Sequence, residues 1–309
     1  MTKTRGADLE MPIQDTLACP NCGAALNFES YERTTCMDCL AFYPRASTGI
    51  LDLRLRSPKL YPYQFCVGTD LLPKEGFAFG TLPLCAQPLV DFSGIDVPFH
   101  LSKELMSHFP KAATATSIAL DLGCGTALHR RVCEHAGFKY LGIDYNSDDA
   151  TVLGDAHALP FKRDSFELIL SIAVLEHIRF PFVFMKEAHR VLMPGGTLIG
   201  SVAFLEPFHG DSYYHHTHLG TYNSLSEGGF DIVYVSPNQA WPGLVAQANM
   251  GLFPRLPRWI SRTLIAPILW LHRAWWGLGR RLGAGGPESE RICRTTGAFY
   301  FVARKGTAA

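Results

Sequence analysis

Long apolar runs are missing from this chain. No stretch reaches the roughly eighteen consecutive apolar residues that a bilayer-spanning helix needs, and the stretch 1–8 has no apolar core of the kind a secretory signal carries. The expectation is a cytoplasmic protein, at most peripheral at the inner membrane face. An excess of charge is missing too. The 28 lysines and arginines balance 28 aspartates and glutamates, which removes the global attraction for nucleic acid that a basic protein would have. In a reducing compartment structural disulfides are not expected, so the nine cysteines read as thiols or metal ligands. An apolar fraction of 47% suits a globular protein, and 309 residues suffice for one substantial domain and one small one.

Four of the cysteines are patterned. Cys19-Pro20-Asn21-Cys22 and Cys36-Met37-Asp38-Cys39 are two Cys-x-x-Cys knuckles. Each aims two thiolates at one point, and together they complete the tetrahedral four-sulfur shell that zinc prefers. Gly23 permits the tight turn after the first knuckle. A small zinc ribbon is therefore expected over 14–57, with Zn2+ in a structural role, because four thiolates leave no open position for substrate. Cys66, Cys85, Cys124, Cys133 and Cys293 show no pairing pattern.

The next signal is Gly123-Cys124-Gly125, entered from the apolar run 118–122 and followed by Asp144 about twenty residues on. A strand that breaks at glycines and opens into a helix leaves backbone N–H groups free and lets a ligand approach the main chain. A carboxylate at the end of the next strand can take two hydrogen bonds from ribose hydroxyls. The full Gly-x-Gly-x-x-Gly of dinucleotide binding is absent, since His129 and Arg130 stand near its last glycine. Gly154-Asp155-Ala156 places another carboxylate at a third strand end, and Phe166 to Ser171 reads as a fourth buried strand leading into Leu175-Glu176-His177-Ile178.

As an ordered set, Asp-Leu-Gly-Cys-Gly-Thr, Gly-Ile-Asp, Gly-Asp-Ala-x-x-Leu-Pro-Phe, Leu-Glu-His-Ile and Arg-Val-Leu-x-Pro-Gly-Gly resemble the class I S-adenosylmethionine-dependent methyltransferases, within them the small-molecule branch. The resemblance covers about half the chain, 98–240 plus the last strand. It implies an α/β, Rossmann-like, doubly wound sheet of seven strands with an antiparallel last strand. It implies S-adenosyl-L-methionine as cofactor, with its methionine moiety near Asp121, Gly123, Cys124 and Gly125, its ribose on Asp144, and its adenine near Tyr145, Asp155 and Ala156. Ser171 completes that pocket, and it stands where enzymes acting on exocyclic base amines carry an acidic or amide residue. Ala127 replaces the family's third glycine. The ribbon itself looks like those of the small adaptor of tRNA and protein methyltransferases, and of bacterial ribosomal RNA guanine methyltransferases.

The rest of the chain divides accordingly. Residues 58–97 read as an irregular connector, rich in proline and aromatics, to which no chemistry is assigned. The methyltransferase domain is expected over 98–309. Within it, 236–296 is expected as a helical insertion that starts and ends on the active-site rim. No acidic residue occurs between Asp231 and Glu288, yet six arginines do. On a helical wheel the first five lie within about 60°, with tryptophan and leucine elsewhere. One outcome is a helix pair whose apolar face covers the domain, broken at Pro267; the others are peripheral membrane contact through 255–282 or contact with RNA phosphates. His209, His215, His216 and His218 follow the fifth strand, and His177 the fourth; each is a candidate general base for a hydroxyl acceptor. The function expected is methyl transfer to a small-molecule or lipid-linked acceptor, at oxygen. The alternatives are an RNA base methyltransferase that grips its substrate with the ribbon, and a non-catalytic adaptor that keeps the cofactor fold. Loss of a ribbon cysteine is expected to lower stability without changing cofactor affinity.

Overall fold

A computed structural model describes residues 12–62, 64, 79–207 and 210–307. Two sheets form. The smaller is an antiparallel ribbon of β1 (Leu26–Ser30), β2 (Arg33–Cys36) and β3 (Phe42–Tyr43). The larger comprises β4 (Leu51–Asp52), β5 (Ile118–Leu122), β6 (Lys139–Asp144), β7 (Val152–Leu153), β8 (Phe166–Ile172), β9 (Leu192–Ala203), β10 (Asp231–Pro237) and β11 (Ala298–Arg304). Its order is β10-β11-β9-β8-β5-β6-β7-β4. The pairs from β9 to β4 are parallel, and β11 runs antiparallel between β9 and β10. This is the doubly wound, Rossmann-like arrangement.

The sheet has eight strands, one more than the motifs imply. The additional one is β4, which pairs Leu51 with Val152 and Asp52 with Leu153. Two residues carry no periodicity from which a strand could be read, and β4 exists because β7 offers it an open edge. Leu17, Tyr43, Leu51 and Leu53 consequently share one core with Leu141, Ile143 and Phe161. The ribbon is tied further by Ala18 N–H to Pro160 O (2.9 Å) and Lys162 N–H to Thr16 O (2.7 Å).

Alternation along β5 builds the two faces. Ile118, Leu120 and Leu122 pack with Phe184, Met185 and Leu225 on one side, while Ala119 packs with Val132, Cys133 and Phe138 on the other. The helix Pro181–Val191 begins with proline at its first position, where the missing N–H costs nothing. The helix His218–Gly228 starts at Thr217, whose side chain accepts from Gly220 N–H, and ends at Gly229 with φ 93°. The helix after the glycine turn spans only Arg130–His135; Ala127 takes φ 55° and is thus outside helical geometry.

The insertion leaves β10 and returns to β11 at one point, where Gly297 N–H bonds Trp241 O (2.7 Å). Between lie a short turn Gly243–Ala246 running into a π-helix Gln247–Leu252, the long helix Arg258–Arg281 and the helix Glu288–Thr295. The long helix runs through Pro267 unbroken for 24 residues, against the expected break. Pro267 faces solvent, where water can take up the carbonyl left without its N–H partner.

Candidate functional site

The strand order reverses at β5, and open α/β sheets bind ligands at such a point, outside the carboxyl ends of the strands. A cavity of about 810 Å³ opens there. Gly123, Asp144, Tyr145, Asp155 and Ala156 line it, joined by Val174 and His177. Gly123 has φ 67°, and a Cβ there would stand 2.7 Å from Val174 Cγ2, so glycine is required both by conformation and by the close wall.

The turn uses its N–H groups differently from the expectation. Those of Gly123 and Cys124 donate to Ile143 O (2.9 and 3.1 Å), and that of Gly125 donates to Asp144 Oδ2 (3.0 Å). The first two are therefore spent on the end of β6, and the third orients the Asp144 carboxylate, whose Oδ1 accepts from Asn146 N–H (2.9 Å). The carboxylate oxygens keep further lone pairs toward the cavity. Burial pushes the Asp155 carboxyl up, but the ring and backbone N–H of His157 more than offset this and hold it below the usual range. Tyr145 is 61% exposed, and Arg54 reaches its carbonyl (3.3 Å) and lies over its ring.

Four of the expected residues are not among those lining the cavity: Gly125, at the exposed turn, and Asp121, Cys124 and Ser171. Asp121 is 1% exposed on the other face of β5, where Tyr140 Oη donates to it (2.8 Å) and His129 Nδ1 lies at 3.1 Å. It braces the turn from beneath. Cys124 is buried, and its thiol is pushed up to about 12 by burial and by Asp121 and Asp144. Ser171 is fully buried inside β8; the lining comes from Ala173, just beyond the strand end.

A second cavity, of about 570 Å³, lies on the insertion side and meets the first at Ala173, which lines both. Its walls include Phe99, His100, Glu176, Glu206, Trp241 and Arg258. Glu176 is 1% exposed. Burial, reinforced by Glu206 nearby, pushes its carboxyl up to about 7. Glu206 accepts from Trp241 Nε1 (2.7 Å). On the opposite wall the Arg258 guanidinium stacks 3.4 Å from the Phe99 ring centre. His100 is held down at about 4 by burial and by His129 and Arg258, so it is a neutral hydrogen-bonding group at pH 7. The π-helix brings Asn249 and Met250 into the same cavity, a distortion often found at functional sites.

The histidines disperse. His177 lines the first cavity, while His215 lines a separate groove along the helices Arg258–Arg281 and Glu288–Thr295. His216 is buried, with its ring pulled below the ordinary value by burial. His218 stacks on Phe79, with ring centres 4.3 Å apart. His209 lies outside the described residues. None of the described candidate histidines lines the second cavity; Glu176, next to His177, does.

The segment after β4 supplies chemistry where none was assigned. Lys59 and Tyr61 line the first cavity. Lys59 Nζ donates to Pro20 O (2.8 Å), inside the first knuckle, and Tyr61 Oη donates to His157 O. The four thiols of Cys19, Cys22, Cys36 and Cys39 lie within 4.8 Å of one another, with Cys19 to Cys39 at 3.6 Å and Cys22 to Cys36 at 3.4 Å. A tetrahedron with zinc–sulfur bonds of 2.3 Å has edges of about 3.8 Å. The donor set thus fits zinc with small adjustments.

Comparison with known proteins agrees with this frame. Residues 120–200 match the family model described as a methyltransferase domain. The matched stretch, from β5 into β9, is thus similar to a methyltransferase domain. A relative from Mycobacterium marinum, described as an uncharacterised methyltransferase, is 32% identical over 124 residues, 34% of this chain and 49% of its own length. One from Mycobacterium avium with the same description is 28% identical over 180 residues, 48% of this chain and 70% of its own. The chain thus spans about half the length of the first of these methyltransferases. Among solved structures, a phosphoethanolamine N-methyltransferase from Haemonchus contortus in complex with S-adenosyl-L-methionine aligns with TM-score 0.41 at 18% identity, covering 65% of this chain and 50% of that one. An S-adenosylmethionine-dependent methyltransferase from Mesorhizobium loti gives 0.39 at 17%, covering 61% and 90%.

Proposed function

We infer that the protein transfers the methyl group of S-adenosyl-L-methionine to a hydroxyl of a small-molecule or lipid-linked acceptor. The observation that carries this is the junction of two cavities at Ala173, with carboxylates at strand ends on one side and Glu176 on the other. In this reading Asp144 takes the ribose hydroxyls, and Asp155 with Ala156 takes the adenine edge. Tyr145, Lys59 and Tyr61 close over the cofactor. The bound cofactor supplies a methyl group already activated on a sulfonium, so the chain's task is to align the acceptor and remove a proton.

Glu176 is suited to that task. A buried carboxylate with a pKa of about 7 is half ionised at neutral pH and takes a proton efficiently from an acceptor hydroxyl. Glu206, Asn249 and Arg258 would orient the acceptor's polar groups. A zinc ion on the four cysteines would hold the ribbon against β7 and the loop that follows it.

The test is incubation of the purified protein with labelled cofactor and separated lipid, small-molecule and RNA fractions. Label entering a lipid or small-molecule product, and lost with Glu176→Gln, supports the reading. Label entering RNA alone overturns it.

A further inference from the structure

The helix Arg258–Arg281 turns its apolar side chains away from the protein. Only Ser261 and Ile265 are buried. Leu264, Ile268, Leu271, Trp275 and Leu278 are all exposed, and their spacing of four, three, four and three residues sets them in one stripe. This differs from one of the three outcomes left open by the sequence, a helix pair whose apolar face covers the domain. Exposed apolar surface on this scale marks an interaction site.

A single packed helix would cover the stripe and no more. Trp259 and Trp270, 71% and 67% exposed, lie roughly 120–140° around the helix from the stripe's middle at about 100° per residue. The uncovered arc from the tryptophans to the stripe is therefore about 180° wide, interrupted by Thr263 and, at the helix end, Arg281, and a flat apolar phase fits that width where one helix does not. Arg262, Arg273 and Arg280 stand within about 20° of each other, on the border between the buried strip and the tryptophan edge of this arc. From there their long stems reach headgroup level while the arc sinks below it. No acidic residue occurs from 232 to 287, and Glu288, which feels Arg273 and Arg280, is paired with Arg291. No helix among the described residues is long and apolar enough to cross a membrane, so the helix would lie along the surface.

We propose that Arg258–Arg281 docks the protein on the surface of an anionic lipid bilayer. Trp259, Trp270 and the leucine stripe enter the interface, and the arginines meet lipid phosphates. Arg258 and Arg262 also line the second cavity, so docking would bring that cavity's wall to the headgroup level, where a lipid-linked acceptor presents its polar end. That last step rests on the methyl-transfer reading; the docking itself does not.

The test is flotation of the full chain with vesicles of equal parts phosphatidylglycerol and phosphatidylcholine, and with phosphatidylcholine alone. Binding is expected to the mixed vesicles, to weaken as salt is raised, and to fall about tenfold or more when Trp270→Ala is combined with Trp275→Ala. Circular dichroism and cofactor calorimetry on the same variant check that the fold is unchanged. Failure of the parent protein to float with the anionic vesicles, or flotation of the double variant equal to the parent, overturns the proposal. So does a stable dimer in sedimentation that the double variant dissociates, since a second copy would then occupy the face. Flotation without cofactor binding would instead defeat the methyl-transfer reading and leave the docking intact.

Discussion

Replacing Glu176 with glutamine separates its two consequences, one for stability and one for rate. In the unfolded chain this carboxyl ionises near its ordinary 4.5, whereas burial raises it to about 7 in the fold. The folded state therefore holds a proton that the unfolded state has released across that window. Its stabilising contribution is complete below pH 4.5 and is lost as pH rises through 7. At 1.36 kcal/mol per unit the loss is about 3 kcal/mol. Glu176→Gln keeps the shape and removes the titration, so its stability should stay level where the parent's declines. By about pH 8 the variant should be the more stable one, by up to about 3 kcal/mol, or roughly 5 °C in melting temperature. Methyl transfer should fall by about 10²–10⁴, and the limb of the rate profile near neutrality should vanish. Thermal melts and initial rates across pH check both. Parallel stability curves for parent and variant, or a rate profile that keeps its limb, would refute the reasoning.

The ribbon should affect the cofactor cavity at a distance. Because Lys59 bonds Pro20 O in the first knuckle and lines the cavity, Cys22→Ser or removal of zinc by a chelator should weaken cofactor affinity as well as lower the melting temperature. Lys59→Ala should weaken affinity about threefold to tenfold by calorimetry with little change in melting; unchanged affinity in all of these would restore the view of the ribbon as a fold support alone. Ala127→Gly should raise the melting temperature, since alanine at φ 55° costs about 1 kcal/mol that glycine avoids; a lower melting point in thermal denaturation would contradict this. Gly123→Ala should reduce cofactor binding about tenfold or more through the collision with Val174, as measured by titration.

Much of the sheet was legible because β5, β6 and β7 are short apolar runs closed by glycine or an acidic residue. β5 falls on 118–122 as expected, and β11 lies antiparallel beside β9 as the resemblance implied. β4 was not legible, since pairing with the open edge of β7 creates it. Asp144 and Asp155 are found lining the cavity because strand ends converge there. Asp121 is not, because strand alternation turns it to the opposite face, a consequence of register that a motif does not state. Glu176 enters the sequence reading only within Leu175-Glu176-His177-Ile178, with no role of its own. Its burial comes from the loop carrying Tyr213 and Tyr214, whose N–H groups both bond the Glu176 carbonyl, and from the insertion arriving many residues later. Wheel periodicity displays the arginines of the long helix but does not tell which side the domain covers. The small contact through Ser261 and Ile265 decides that.

The most direct measurement is calorimetric titration of the whole chain with S-adenosyl-L-methionine, set beside the same titration of Asp144→Asn and of the parent with a nicotinamide dinucleotide. The account predicts a saturable one-to-one heat for the parent with the sulfonium compound, at least about tenfold weaker in the variant, and none with the dinucleotide. Silence with the sulfonium compound, equal affinity in Asp144→Asn, or tighter binding of the dinucleotide would contradict it.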